Sequence, residues 1–201
     1  MRLAFVLVLL AVLATTAPAQ MGPGYTGIMS YNVSIPTGDT YDYISEGSFR
    51  GFEVEGRRFI TPNLSWSLSW QWSTFNEATD GTFEIPNGHI SGNQHRILYS
   101  WPFLAKAHYY FGEPAIYNEN AVPFVGIGAG AYWIRQSLEI GVLAVEESNW
   151  HLGFSPEAGV LIPTTGANSL VLSAGYHYAF ESGGRGPHSY WTVKLGLAYS
   201  L

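Results

Sequence analysis

Residues 64 to 74, LSWSLSWQWST, alternate without a break, with Leu64, Trp66, Leu68, Trp70 and Trp72 on one parity and Ser65, Ser67, Ser69, Gln71 and Ser73 on the other. Successive side chains of a strand point to opposite faces, whereas a helix would scatter the same residues around its circumference. The stretch is therefore a strand with one apolar and one polar face. A soluble sandwich builds its apolar face mainly from Val, Ile and Leu. Tryptophans at 66, 70 and 72 suit a boundary between lipid and water, where both the bulk of the indole and its N–H are used.

The same period recurs along the chain. It predicts eight strands, over about 25–35, 49–60, 64–74, 94–111, 123–135, 150–162, 169–180 and 191–201, and no helix. The links alternate in length. Those at 61–63 and 163–168 are short, whereas 37–48, 76–93, 136–149 and 181–189 are long or polar. An even number of strands, with short turns at one end and long loops at the other, is the pattern of an outer-membrane barrel whose termini are both periplasmic. The link at 112–122 is longer than that pattern expects. A soluble β-sandwich is the alternative for an all-β chain of this size.

The N-terminus carries Met1-Arg2, an apolar run from Leu3 to Leu13, and Ala17-Pro18-Ala19. These are the charged, apolar and small-residue parts of a secretory signal peptide, residues 1–19, with the barrel occupying 20–201. The apolar run is about half of the ~20 residues a membrane-spanning helix needs. Cleavage leaves Gln20 rather than a cysteine, which argues against a lipid anchor. The chain has no cysteine, so it holds neither disulfide nor thiolate metal ligand. Only 12% of residues are charged while 15% are aromatic, which is a poor balance for a soluble domain. A net charge of −6 with just two lysines speaks against a nucleic-acid partner.

Lipid cannot hydrogen-bond a bare strand edge, so the sheet must close, and eight strands leave an interior that side chains fill. The inward parity supplies Glu53, Glu55 and Glu157 as acids and Arg57, Arg96, Lys106 and Lys194 as bases, with Gln71, His108, Tyr110, His151 and His177 between them. Among these, Glu53, Glu55, Arg57, Arg96, Lys106, His108, Glu157, His177 and Lys194 form the predicted lumen charge network. A charge facing lipid at midplane would cost about 2–4 kcal/mol, so their shared parity is informative. The glycines of the fifth strand (Gly126, Gly128, Gly130) leave room for bulky neighbours or for sharp curvature. Outward, Trp66, Trp70, Trp72, Trp101, Trp133, Trp150 and Trp191 are the expected membrane-interface aromatics.

The stretches LAKAHYYF (104–111), PFVGIGAG (123–130), FSPEAGV (154–160) and the terminal VKLGLAYSL, taken in order, resemble the small outer-membrane barrels of the OmpW, OmpX and OmpA transmembrane-domain type. The resemblance runs over essentially the whole mature chain. It implies an all-β, eight-stranded antiparallel up-and-down transmembrane β-barrel with a filled polar lumen, located in the bacterial outer membrane. Its implied partners are outer-membrane lipid including lipopolysaccharide, the barrel-assembly machinery during insertion, and an envelope protein complex. That family usually ends on Phe or Trp, where this chain has Leu201.

Such barrels include structural proteins, adhesins, narrow channels and lipid A-modifying enzymes, so fold alone does not choose among them. The expected role is structural or surface-interacting. A narrow channel for small or apolar solutes comes second and a lipid A-modifying hydrolase third. His188, Ser189 and Glu181 are the one compact set for hydrolysis, yet they lack the His-x-Ser-Asn order of the lipid A deacylases. Gly126-x-Gly-x-Gly is no nucleotide motif, and His89 and His95 lack metal-ligand spacing. No cofactor and no metal is expected. The long links are rich in acids, among them Asp39, Asp42, Glu46, Glu77, Asp80, Glu84, Glu139, Glu146, Glu147 and Glu181, which keep loops solvated and could bridge divalent cations to lipid headgroups.

Overall fold

A computed structural model describes residues 24–85, 88–111, 120–140, 143–164 and 168–200, except for the side chains of 80–93 and 140–143. The expected signal peptide, most of the 112–122 link, the His89 side chain and Leu201 lie outside the described residues. Eight strands close on themselves in sequence order, every neighbouring pair antiparallel. They are β1 (Tyr25–Thr37), β2 (Ser48–Thr61), β3 (Leu64–Ile85), β4 (Gly88–Tyr110), β5 (Val122–Ile140), β6 (Leu143–Pro163), β7 (Asn168–Ala179) and β8 (His188–Ser200). Closure between β1 and β8 removes any free edge from the wall and rules out the sandwich. Both described ends, Tyr25 and Ser200, lie at the end of the short turns, because Tyr25 pairs with Arg58 and Thr26 with Ser200.

Burial alternates as the period requires. Along β8, Thr192, Lys194, Gly196 and Ala198 are buried while Trp191, Val193, Leu195 and Leu197 are exposed, and β2 and β3 behave likewise. The barrel is thus inverted relative to a soluble domain, with charge inside and hydrocarbon outside.

Two expectations need correction. Residues 76–85, 88–93, 136–140 and 143–149 are strand rather than loop: β3 pairs with β4 as far as Ile85–Gly88, and β5 with β6 as far as Ile140–Leu143. Pairing of β2 with β3 stops at Gly51–Ser73 and that of β6 with β7 at Gly153–Ala179, so β3 to β6 continue beyond the wall as a four-stranded extension. Here the apolar alternation of the sequence fades, yet the backbone ladder needs no side-chain pattern to continue. The second correction is a helix, α1 (Gly38–Tyr43), in the link between β1 and β2. Six residues give it too few turns to show an apolar period. Gly38, at φ +52, turns the chain into it.

Candidate functional site

The lumen is filled in three layers. Nearest the short turns, Ile28, Phe59, Tyr110, Val122, Phe124, Leu161, Val171 and Ala198 form an apolar floor. At the loop end, Ile44, Phe75, Leu98, Leu104, Tyr132, Ile134, Ala179 and Tyr190 form an apolar roof. Between them lies the ion cluster, whose members are at most 6% exposed. Lys106 Nζ donates to Glu53 Oε1 at 2.6 Å, Glu55 Oε2 at 3.1 Å and Glu157 Oε2 at 3.4 Å. Lys194 Nζ donates to Glu157 Oε2 at 2.5 Å and Glu53 Oε2 at 3.2 Å. Arg57 Nε donates to Glu55 Oε1 at 2.7 Å, and its guanidinium also donates to Tyr110 and stacks over the Phe124 ring at 5.2 Å. His108 Nε2 donates to Glu157 Oε1 at 2.7 Å.

Glu53, Glu55 and Glu157 thus meet Arg57, Lys106 and Lys194, and the cluster is neutral without His108. Neutrality matters because an unpaired buried ion costs several kcal/mol. It also bears on metal binding. Glu55, His108 and Glu157 place one ligand atom each within 4.8 Å of one another. Their carboxylates are already compensated by cations, so a divalent ion would add uncompensated positive charge.

Seven of the nine predicted network residues are brought together: Glu53, Glu55, Arg57, Lys106, His108, Glu157 and Lys194. Arg96 is not among them. It has the inward parity but stands near the loop end, where it donates to the Tyr43 carbonyl at 3.0 Å and lies over the Tyr43 ring. Parity fixes the face and says nothing of height along the strand, which separates Arg96 from Lys106. His177 lies inside the lumen but in the roof, stacked on Tyr190 and 3.2 Å from the Tyr132 hydroxyl, and it makes no ion pair.

The serines of β3 and the glycines of β5 now have a reason. One rung around the wall reads Arg57, Ser67, Lys106, Gly128, and another His108, Gly126, Glu157, Gly175. Long side chains on β2, β4 and β6 lie across small ones on β3, β5 and β7. A Cβ at Gly126 would sit 2.5 Å from His108 Cδ2, and one at Gly128 would sit 2.9 Å from Lys106 Cγ. Gly126→Val is therefore expected to displace the buried His108 ring from Glu157 and cost about 1–3 kcal/mol, the usual range for overpacking. Urea unfolding in detergent micelles checks this, and an unchanged midpoint would contradict it.

The mouth at the loop end is covered by α1 and the residues after it. Ile44 is fully buried in the roof. The Tyr43 hydroxyl donates across the mouth to the Ser137 carbonyl at 3.2 Å, and Ser45 donates to Glu77 at 2.6 and 2.9 Å. Burial pushes the Tyr43 phenol above its ordinary pKa. No sequence signal marked this cover except an isolated Ile44 in a polar link. His188 and Ser189 are turned to it as well: His188 Nδ1 lies 3.4 Å from Thr40 Oγ1, and Ser189 Oγ donates to the Thr37 carbonyl at 3.0 Å. Glu181 is exposed. These contacts tie the start of β8 to α1 and the residue before it.

All seven predicted interface tryptophans face outward. Trp66 stands toward the short-turn end with Tyr25, Tyr109 and Phe111. The other six gather toward the loop end. Trp101, Trp133 and Trp150 share one rung, with ring centres 4.4 and 6.5 Å apart, and Trp70 reaches Trp150 through Phe103. Phe52 adds Trp72 to the same chain of rings, and Trp191 pairs with Tyr176 at 5.0 Å.

An eight-stranded, all-antiparallel closed wall with a packed ionic interior and an apolar exterior defines the fold of the small outer-membrane β-barrels. No protein-family model matches the chain, and no curated protein sequence matches it. Solved structures do. Neisserial surface protein A superposes with a TM-score of 0.61 at 15% identity, over 90% of this chain and 98% of that one. Ail, the attachment invasion locus protein of Yersinia pestis, in complex with the heparin analogue sucrose octasulfate, gives 0.54 at 15% identity, over 90% and 100%. A major outer membrane protein of Thermus thermophilus gives 0.53 at 14% identity, over 87% and 99%. Identities this low carry the fold and nothing finer.

Proposed function

We propose that this protein spans the bacterial outer membrane as a sealed barrel with a structural or surface-interaction role, its loop end outside and both termini in the periplasm. The observation that carries the reading is the neutral ion cluster clamped between an apolar floor and an apolar roof. A solute path would have to break both layers and expose paired charges to each other's loss. The apolar exterior bounded by aromatic groups supports the membrane setting, with lipopolysaccharide and other outer-membrane lipid as neighbours and the barrel-assembly machinery needed for insertion. Membership of a larger envelope complex is compatible with the same surface. The hydrogen bonds of His188 and Ser189 to the mouth cover favour a non-enzymatic role.

Ail is recorded with a polysulfated sugar analogue. The loop end here exposes Asp39, Asp42, Glu46, Glu139 and Glu181 against Arg50, while Arg135 and Arg185 are already paired with Glu146 and Glu147. That charge balance repels polyanions, so the surface partner is expected to be cationic or to be bridged by divalent cations. Reconstitution into planar bilayers tests the sealed lumen. No conductance steps above background are expected, and regular steps would favour the narrow channel instead.

A further inference from the structure

The mouth cover is pinned at both of its ends. At its start, Thr37 Oγ1 donates to Ser189 Oγ at 3.0 Å, and Thr40 Oγ1 accepts from Ser189 N at 2.9 Å. The Thr40 hydroxyl proton is then left to face His188 Nδ1, 3.4 Å away, a contact that asks for an unprotonated ring nitrogen. At its far end, Ser45 N and Ser45 Oγ both donate to Glu77 Oε2, which asks for a carboxylate. Between the pins Ile44 fills the roof, and its N–H donates to the Thr40 carbonyl at 2.8 Å.

Acid works against both pins. His188 is the first residue of β8, at the rim, ~10 Å along the strand beyond Trp191. Burial, with the His151 ring 5.2 Å away, holds the His188 imidazole down to about 4 from an ordinary 6.5, and Asp39 of α1 opposes this only in part. The other charged groups around it, Glu147 of β6 and Arg185 of the segment before β8, pair with each other. Burial alone would raise the Glu77 carboxyl. The Ser45 hydrogen bonds, Arg96 of β4 and the backbone N–H of Glu46 outweigh it and hold Glu77 below its ordinary value. A neutral His188 thus favours the closed cover in full above the ordinary imidazole pKa, and that advantage fades as the pH falls from about 6.5 toward 4. Glu77 acts with the same sign at lower pH, since its two hydrogen bonds weaken once acid removes the charge.

We propose that residues 37–45 form an acid-released strap, closed over the roof near neutral pH and lifting in mild acid as His188 takes up a proton, with Glu77 completing the release. Lifting withdraws Ile44 and bares an apolar seat at the loop end, so the surface offered to a partner changes with pH. The ion cluster and the floor lie beneath and stay closed in both states, so the switch goes beyond the sealed lumen without breaking it.

Amide hydrogen exchange of the folded wild-type protein in detergent micelles tests this, with each rate corrected for its intrinsic pH dependence. Protection of the Ile44 and Ser45 amides is expected to fall at least about tenfold between pH 7 and pH 5, while that of Val193 and Leu195 in the wall holds. His188→Asn keeps an acceptor for Thr40 but takes up no proton, and its cover protection is expected to stay level over the same range. Glu77→Gln is expected to lower the protection of Ser45 about fivefold or more already at pH 7. Level protection of the cover in the wild-type protein, the same fall in folded His188→Asn, or an equal fall in the wall amides would each overturn the strap.

Discussion

Replacing Lys106 by methionine is expected to lower the stability of the barrel by about 3–5 kcal/mol, the cost of breaking a buried ion pair by removing one partner. Lys106 Nζ touches all three lumen carboxylates, at 2.6, 3.1 and 3.4 Å. Without it Glu55 keeps Arg57, but Glu53 and Glu157 must share Lys194, and one negative charge stays uncompensated between two apolar layers. Methionine keeps most of the length and volume, so the loss reports charge rather than a cavity. Urea unfolding in phospholipid vesicles, followed by the gel shift of the folded form, measures it. Adding Glu53→Gln restores neutrality and is expected to recover more than half of the loss. The exposed pair Arg135–Glu146, whose side chains are 37% and 52% exposed, sets the scale: Arg135→Ala should cost at most about 1 kcal/mol. If Lys106→Met fell in that same range, the cluster would be solvated and the lumen would not be sealed.

That cluster is legible in the sequence because it depends on one property, parity, which strand geometry fixes at every residue. Glu53, Lys106, Glu157 and Lys194 share the inward face of four strands, and although register sets them on different rungs their side chains meet in one cluster. Parity has no reading of height by itself, which is why Arg96 belongs to the mouth while Lys106, ten residues further along β4, belongs to the cluster. The apolar floor and roof were equally present in the inward parity, as Phe59, Phe124, Leu161 and Tyr190, but they do not stand out in strands that are apolar outward as well. The mouth cover was hidden for another reason. Its helix is too short to show a period, and Ile44 is buried by tertiary closure that a local pattern does not encode. The extension of β3 to β6 shows the reverse case: a ladder outlasts the alternation that announces it.

Whether the outer face meets acyl chains is decided by a pair of substitutions matched for exposure. Leu195 and Val145 are both 57% exposed. Leu195 lies midway along the wall on β8, four residues from Trp191 and from Tyr199, and flanked in register by Tyr31 and Leu172. Val145 pairs with Leu138 in the extension beyond the wall. Leu195→Arg places a charge near the middle of the apolar band, and in vesicles it is expected to cost about 2–4 kcal/mol. Val145→Arg meets water, and a surface change of that kind stays within about 0.5 kcal/mol. Area removed from water cannot separate the two, since their exposures agree; only the surrounding medium differs. Unfolding midpoints of the two variants in vesicles, read against the wild-type protein, give the answer. Equal and small effects would mean that Leu195 faces water, and the inverted burial of this barrel would then need a protein partner rather than a bilayer to cover it.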